Sequence, residues 1–219
     1  MDSLEALLKP IRHSPRLPQA VALLQEQIAN ECNARDQFYR EMPPDQKVEF
    51  IDGEVILHSP ARNRHLDVTL WIATLLRAHV GLQQLGTVKV EKCLCVFPRN
   101  DYEPDIVYFG LEKTQSIQAD TMKFPVPDMV VEVLSPSTET RDRGVKFEDF
   151  AANRLGEYWI VDADKSVIEQ YVLHDSNFEL VLKSSSGRIS SPVIAGFQSD
   201  IEAFFDEQKN LIALRALLH

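Results

Sequence analysis

Apolar positions recur at two periods along this chain, and the places where the period changes outline its elements. From residue 18 to about residue 31, Val21, Leu24 and Ile28 stand at helical spacing with Gln25, as expected for an amphipathic helix. The pair Pro43-Pro44 then breaks the chain. Asp52-Gly53, set between the short apolar runs Val48–Ile51 and Glu54–Leu57, predicts a tight hairpin. A second helix is expected over 64–80, striped by Leu66, Leu70, Ala73, Leu75 and Leu76. Strands follow at 87–90, 93–97, 106–109 and 129–134. A helix over 142–154 should stop near Gly156. Further strands are expected at 158–161, 167–172 and 178–182, and the tail from Ser199 reads as helical through Ile201, Phe204, Phe205, Leu211, Leu214 and Leu218. The order predicts a mixed α/β fold, with a helical appendage over 1–45 and one domain over 46–219.

One strand carries an anomaly. From Met129 to Leu134 every residue is apolar except Glu132, and an almost unbroken apolar run of this length belongs to an inner strand covered on both faces. A carboxylate there costs several kcal/mol unless a cation meets it. Upstream, Pro104-Asp105 opens the apolar run Ile106-Val107-Tyr108-Phe109. Proline is excluded from the middle of a central strand, so Asp105 stands at a strand mouth. On adjacent strands Asp105 and Glu132 would supply the paired oxygen ligands that Mg²⁺ prefers. Asp128 competes for the role, but it lies four residues before Glu132, roughly 13 Å along a strand, too far to share one ion.

The segments PDIVYF, PDMVVEVLSPST and RDRGVKFEDFAANRLGEYWIVD, with the hairpin EFIDGEVILHSP, resemble the Uma-two family of restriction endonucleases, a branch of the PD-(D/E)XK nuclease superfamily. The matches run from about residue 48 to residue 171. PD alone is a weak signal, but the ordered series is specific. The resemblance implies a restriction-endonuclease-like mixed β-sheet core flanked by helices, and a Mg²⁺-dependent endonuclease, with Mn²⁺ as an alternative ion, acting on DNA. It implies Asp105 and Glu132 as metal ligands and catalytic residues, with Glu54 matching a further acid of the family's opening motif.

The chain departs from the superfamily at the lysine. Two positions beyond Glu132, where that residue is expected, stands Leu134. The resemblance places the lysine at Lys146, in the helix after the SPST turn, from where it could orient the nucleophile or offset negative charge. On residues alone, Lys146 and Glu54 read equally well as solvated surface groups. His65 opens the helix after the hairpin, where a phosphate contact or a capping role is open.

Composition narrows the reading. Apolar residues make up 44% of the 219, ordinary for a globular protein, and no apolar run is long enough to span a membrane. The acidic start MDSLEALLKP lacks the positive charge of a signal peptide. Cys32, Cys93 and Cys95 leave an odd thiol, suggesting a reducing, cytoplasmic setting, with Cys93 and Cys95 as packing residues. A net charge of −10 argues against a nucleic-acid coat protein, since such binding draws on phosphate neutralisation. A local basic rim could still serve, drawn from Arg62, Arg64, His65, Lys89, Lys92, Arg99, Arg141 and Arg143. Cutting both strands of a duplex needs two sites, so a homodimer is expected, through the helix from Pro18 or the tail. Two rivals stand beside catalysis: a degenerate nuclease fold kept for binding or regulation, and a structural Glu132–Lys146 ion pair.

Overall fold

The computed structural model describes residues 4–43 and 46–218. Pro44 of the expected break, residue 45 at the expected domain boundary and the first three residues of the acidic start lie outside them. The chain opens with α1 (Leu4–Arg12) and α2 (Leu17–Glu41). The hairpin of β1 (Val48–Ile51) and β2 (Glu54–Leu57) leads to α3 (Asn63–Leu82), β3 (Gly86–Val90), β4 (Leu94–Val96), β5 (Asp101–Tyr102) and β6 (Ile106–Gly110). After α4 (Leu111–Thr114) come β7 (Lys123–Phe124), β8 (Met129–Val133), α5 (Glu139–Asp142), α6 (Val145–Ala152) and β9 (Glu157–Asp162). The hairpin of β10 (Val167–His174) and β11 (Asn177–Ser184), then β12 (Arg188–Ser190), β13 (Gln198–Asp200), a 3-10 turn (Ile201–Phe204) and α7 (Glu207–Leu217) complete it.

The architecture is mixed α/β. A six-stranded sheet in the order β11-β10-β9-β8-β6-β3 forms the centre, with β8 and β9 parallel. A five-stranded sheet, β2-β1-β5-β4-β7, covers one of its faces. Strand alternation assigns the two cores. Met129, Val131 and Val133 of β8 join Val68, Ile72 and Leu75 of α3 and Phe204, while Val130 joins Ile51, Tyr102, Val107, Phe150 and Tyr158 on the side of α6 and the smaller sheet. Val48 and Phe50 of β1 point the other way, under Phe38 of α2. The hairpin turn uses Asp52 at φ 51° and Gly53 at φ 87°, the pair of positive φ values that a two-residue turn between twisted strands requires.

Helices α1 and α4 and strands β5, β7 and β12 were not expected, and three expected elements have other bounds. Helix α2 runs on to Glu41, because Arg35 and Tyr39 are held there by Asp101 on β5, with Arg35 Nε 2.8 Å from Oδ2 and the Tyr39 hydroxyl 3.0 Å from Oδ1. The helix expected over 142–154 is two helices, broken at Arg143-Gly144; a Cβ on Gly144 would stand 2.8 Å from the Thr140 carbonyl oxygen. The second ends at Ala152, with Arg154 rather than Gly156 in the left-handed region. Gly156 serves close packing instead, since a Cβ there would meet Val193 at 2.9 Å. The tail begins as strand β13, paired with β12, and turns helical from Ile201.

Candidate active site

Sheet register brings the two anomalous carboxylates together. Antiparallel pairing of β6 with β8 sets Ile106 against Val131, so the next pair at the strand mouth is Asp105 and Glu132. Both side chains fall on the face that carries Val107 and Val130, toward α6 and the smaller sheet. The Asp105 backbone N–H donates to Glu132 Oε2 at 3.3 Å, and the Val133 N–H donates to Asp105 Oδ2 at 2.9 Å. Each residue is 3% exposed, so neither charge is left to water.

Two lysines meet them, Lys146 buried and Lys47 half-buried. The turn at Gly144 aims α6 so that the Lys146 ammonium lies 2.8 Å from Glu132 Oε1, 2.8 Å from Glu49 Oε1 and 3.2 Å from Asp142 Oδ1. Lys47, just before β1, places its ammonium 2.7 Å from Asp105 Oδ1, and His65 Nε2 stands 3.3 Å from Asp105 Oδ2. His58 pairs with the far oxygen of Glu49 at 3.0 Å.

Four carboxyls share two lysines and two imidazoles, and their protonation divides unequally. Burial pushes the Asp105 and Glu49 carboxyls up, but Lys47 and His65 outweigh it at Asp105, and Lys146 and His58 at Glu49, holding both well below the usual carboxylate range. Glu132 goes the other way: burial dominates, Lys146 offsets only part of it, and the charges of Asp142 and Asp105 add to it, raising the carboxyl to about 8. Burial disfavours the charged Lys146, yet the three carboxylates around it hold its pKa well above the ordinary value. Burial raises the Asp142 carboxyl as well, with Lys146 offsetting part of it, so the protonation of this low-dielectric cluster is shared among coupled groups.

The cluster forms the floor of a cleft of about 900 Å³. Arg62 and Arg64 from the start of α3, with Ser135, Ser137 and Thr138 of the SPST turn, line its mouth. This brings Asp105, Glu132, Lys146 and His65 into one site. Glu54 is not among them: it is exposed at the turn end of β2 and faces a separate cleft with Glu31 and Asp52. Asp128 anchors the opposite end of β8, accepting from the Gly110 N–H at 2.7 Å and Lys113 Nζ at 2.6 Å. Of the basic residues expected at a rim, Arg99 is spent on Glu31 and Asp52, and Arg143 on Glu139 and Glu169. Sequence reasoning missed Glu49, Lys47, His58 and Asp142. Glu49 carried the signal that singled out Glu132, an acid inside the apolar strand VEFI; the others carry none that local pattern exposes.

The donor set suits a divalent ion. Ligand atoms of His65, Glu91 and Asp105 lie within 4.8 Å of one another, and His65 Nδ1 is buried without a hydrogen-bond partner among the described residues. Hard carboxylate oxygens backed by an imidazole fit such an ion. Lys47 and Lys146 each occupy one oxygen of the Asp105–Glu132 pair, which leaves the side toward His65 and Glu91 as its approach.

The chain is similar to known proteins in sequence and in fold. Two uncharacterized proteins of Synechocystis sp. are similar: slr1290, 29% identical over 175 residues, covering 78% of this chain and 85% of that one, and sll1609, 27% identical over 140 residues, covering 63% and 78%. Among solved structures, the fold matches a protein of Anabaena variabilis, described as "a putative nuclease belonging to DUF820", with a TM-score of 0.67 at 17% identity over 78% of this chain and 96% of that one. The sequence profile of the Uma2 family, "Putative restriction endonuclease", matches residues 35–202, a span from the end of α2 to the 3-10 turn that contains every residue of the cluster, and the chain belongs to that family.

Proposed function

We propose that this protein is a divalent-metal-dependent endonuclease that hydrolyses phosphodiester bonds of DNA. The observation that carries the reading is the convergence of Asp105, Glu132 and Lys146 on the floor of one cleft whose mouth carries Arg62 and Arg64. Asp105, with Glu132 behind it, offers oxygen ligands on the open side of the cluster. A bound divalent ion supplies Lewis-acid polarisation of a phosphoryl oxygen, worth several kcal/mol of transition-state stabilisation. Lys146 sets a compact positive charge against the charge that develops on the phosphate, and Glu49 and Asp142 hold its ammonium in place. Glu132, with its carboxyl raised to about 8, is poised to exchange a proton near neutral pH. Arg62 and Arg64 hold the phosphate backbone across the mouth.

For cleavage of both strands we infer a C2 dimer. Leu17, Val21, Leu24 and Ile28 of α2, all exposed, repeat at the alternating four- and three-residue spacing of a coiled-coil seam, and an isologous contact between two copies of α2 would bury them.

The test is turnover of a labelled duplex by the purified chain with Mg²⁺, Mn²⁺ or Ca²⁺. Cutting with Mg²⁺ or Mn²⁺ that is lost in Lys146→Met supports the reading. A second reading, a degenerate nuclease fold that binds without cutting, is favoured by Leu134 in place of the strand lysine and by the net charge of −10. Binding in Ca²⁺ with no cleavage in Mg²⁺ or Mn²⁺ selects it.

A further inference from the structure

We propose that His65 and Glu91 complete the ion's ligand set around Asp105, and that this set makes the site select a divalent first-row transition ion over Mg²⁺. The inference rests on the nuclease reading only for the presence of an ion; the ligands and the selectivity follow from the residues below.

His65 is the third residue of α3. Its Nε2 is 3.3 Å from Asp105 Oδ2. Adjacent donors on an octahedral ion, each bound at about 2.1–2.2 Å, stand about 3 Å apart, so an ion that displaced the proton now shared by this pair would find the two atoms near that spacing. Glu91 lies in the turn between β3 and β4. Its backbone N–H donates to the Asp105 carbonyl at 3.3 Å, which ties that turn to the strand mouth and sets the Glu91 side chain on the cleft wall. The three donor atoms fall within 4.8 Å of one another. Glu91 makes no ion pair among the described residues, and its exposed side chain is free to close the remaining distance.

The opposite side of the carboxylate pair is closed to an ion. Asp105 Oδ1 is taken by Lys47 and Glu132 Oε1 by Lys146, so a cation entering between them would displace a buried ammonium. The imidazole is half-buried and is paired through Nε2 with Asp105. Its Nδ1 is shielded from solvent without a hydrogen-bond partner among the described residues, a cost that structural packing alone gives no reason to keep. An imidazole among carboxylates raises affinity for transition ions, whereas Mg²⁺ favours oxygen alone and retains its waters.

The test is Mn²⁺ binding by the metal-free full chain, read as loss of the free-ion paramagnetic resonance signal and repeated in competition with Mg²⁺. The wild type should bind Mn²⁺ at least about 10-fold more tightly than Mg²⁺. Glu91→Gln, an exposed change that leaves the fold alone, should weaken Mn²⁺ by about 10-fold or more, and His65→Ala should lose the preference over Mg²⁺. Circular dichroism checks folding; should His65→Ala unfold, Glu91→Gln decides. Mn²⁺ affinity within about 2-fold of wild type in the folded variants overturns the inference, as does equal wild-type affinity for Mg²⁺. Failure of the nuclease reading looks different: the ion binds as expected, and no duplex is cut.

Discussion

The ammonium of Lys146 lies 2.8 Å from Glu132 Oε1, although the two are 14 residues apart and on different kinds of element. The position that would bring a lysine to Glu132 along its own strand is Leu134, packed against the core beside α6. Here the ammonium arrives from a helix. That relocation works only because the chain breaks at Gly144, which turns the first residues of α6 back toward the strand end.

Removing that ammonium should therefore cost stability as well as activity. Lys146→Ala leaves Glu49, Glu132 and Asp142 buried without their shared cation, a loss of about 3–5 kcal/mol and about 10 °C in Tm. Adding Glu49→Gln to that variant should recover part of the loss, because the carboxylate that stays ionised beside the lysine is gone. Thermal unfolding of the single and double variants checks this; equal Tm values for Lys146→Ala and the wild type would remove the lysine from the centre of the cluster.

The raised carboxyl of Glu132 sets a pH dependence. Its folded pKa of about 8 lies above its ordinary value of 4.5, so the unfolded chain releases this proton first. The contribution to stability is full below about pH 4.5 and drains away as pH rises through 8. In metal-free protein, Tm should fall between pH 5 and pH 8 more steeply than in Glu132→Gln. Parallel pH profiles for the two proteins would sink the assignment.

Nucleic-acid binding should report the rim. Arg62 and Arg64 line the cleft mouth, whereas Arg99 and Arg143 are already engaged by carboxylates. If about four to six phosphates are contacted, log K should fall with log salt at a slope near −4 to −5. Arg62→Ala or Arg64→Ala should flatten the slope by about one unit, and Arg99→Ala should leave it unchanged. Fluorescence anisotropy of a labelled duplex in Ca²⁺ measures this, and the absence of any binding at low salt would return the fold to another partner.

The seam on α2 predicts assembly. Val21→Glu with Leu24→Glu should turn a dimer into a monomer by light scattering at micromolar concentration, with an unchanged circular dichroism spectrum, since neither residue is buried within the chain. A wild-type monomer at that concentration counts against double-strand cleavage by this chain alone.

The sequence by itself determined the hairpin, the strands of the central sheet and the position of the two carboxylates within them, because each follows from a local rule. A two-residue turn needs Asp-Gly chemistry, inner strands need apolar runs, and an acid inside such a run demands a partner. It also located Lys146, but only through the family's ordered motifs. What tertiary structure alone decided is who meets whom. Strand register put Asp105 opposite Glu132, and the break at Gly144 aimed Lys146 at them. The smaller sheet, laid over the larger one, turned Glu49 rather than Glu54 toward the centre, since β1 is buried on both faces while the turn end of β2 is open to water. His58 and Asp142 lie inside the quoted motifs and Lys47 just before them, yet no local period marks their role, and Lys47 meets its partner 58 residues away. Coulomb attraction in a dry interior depends on distances of a few ångströms between groups remote in the chain, and no local period encodes those distances.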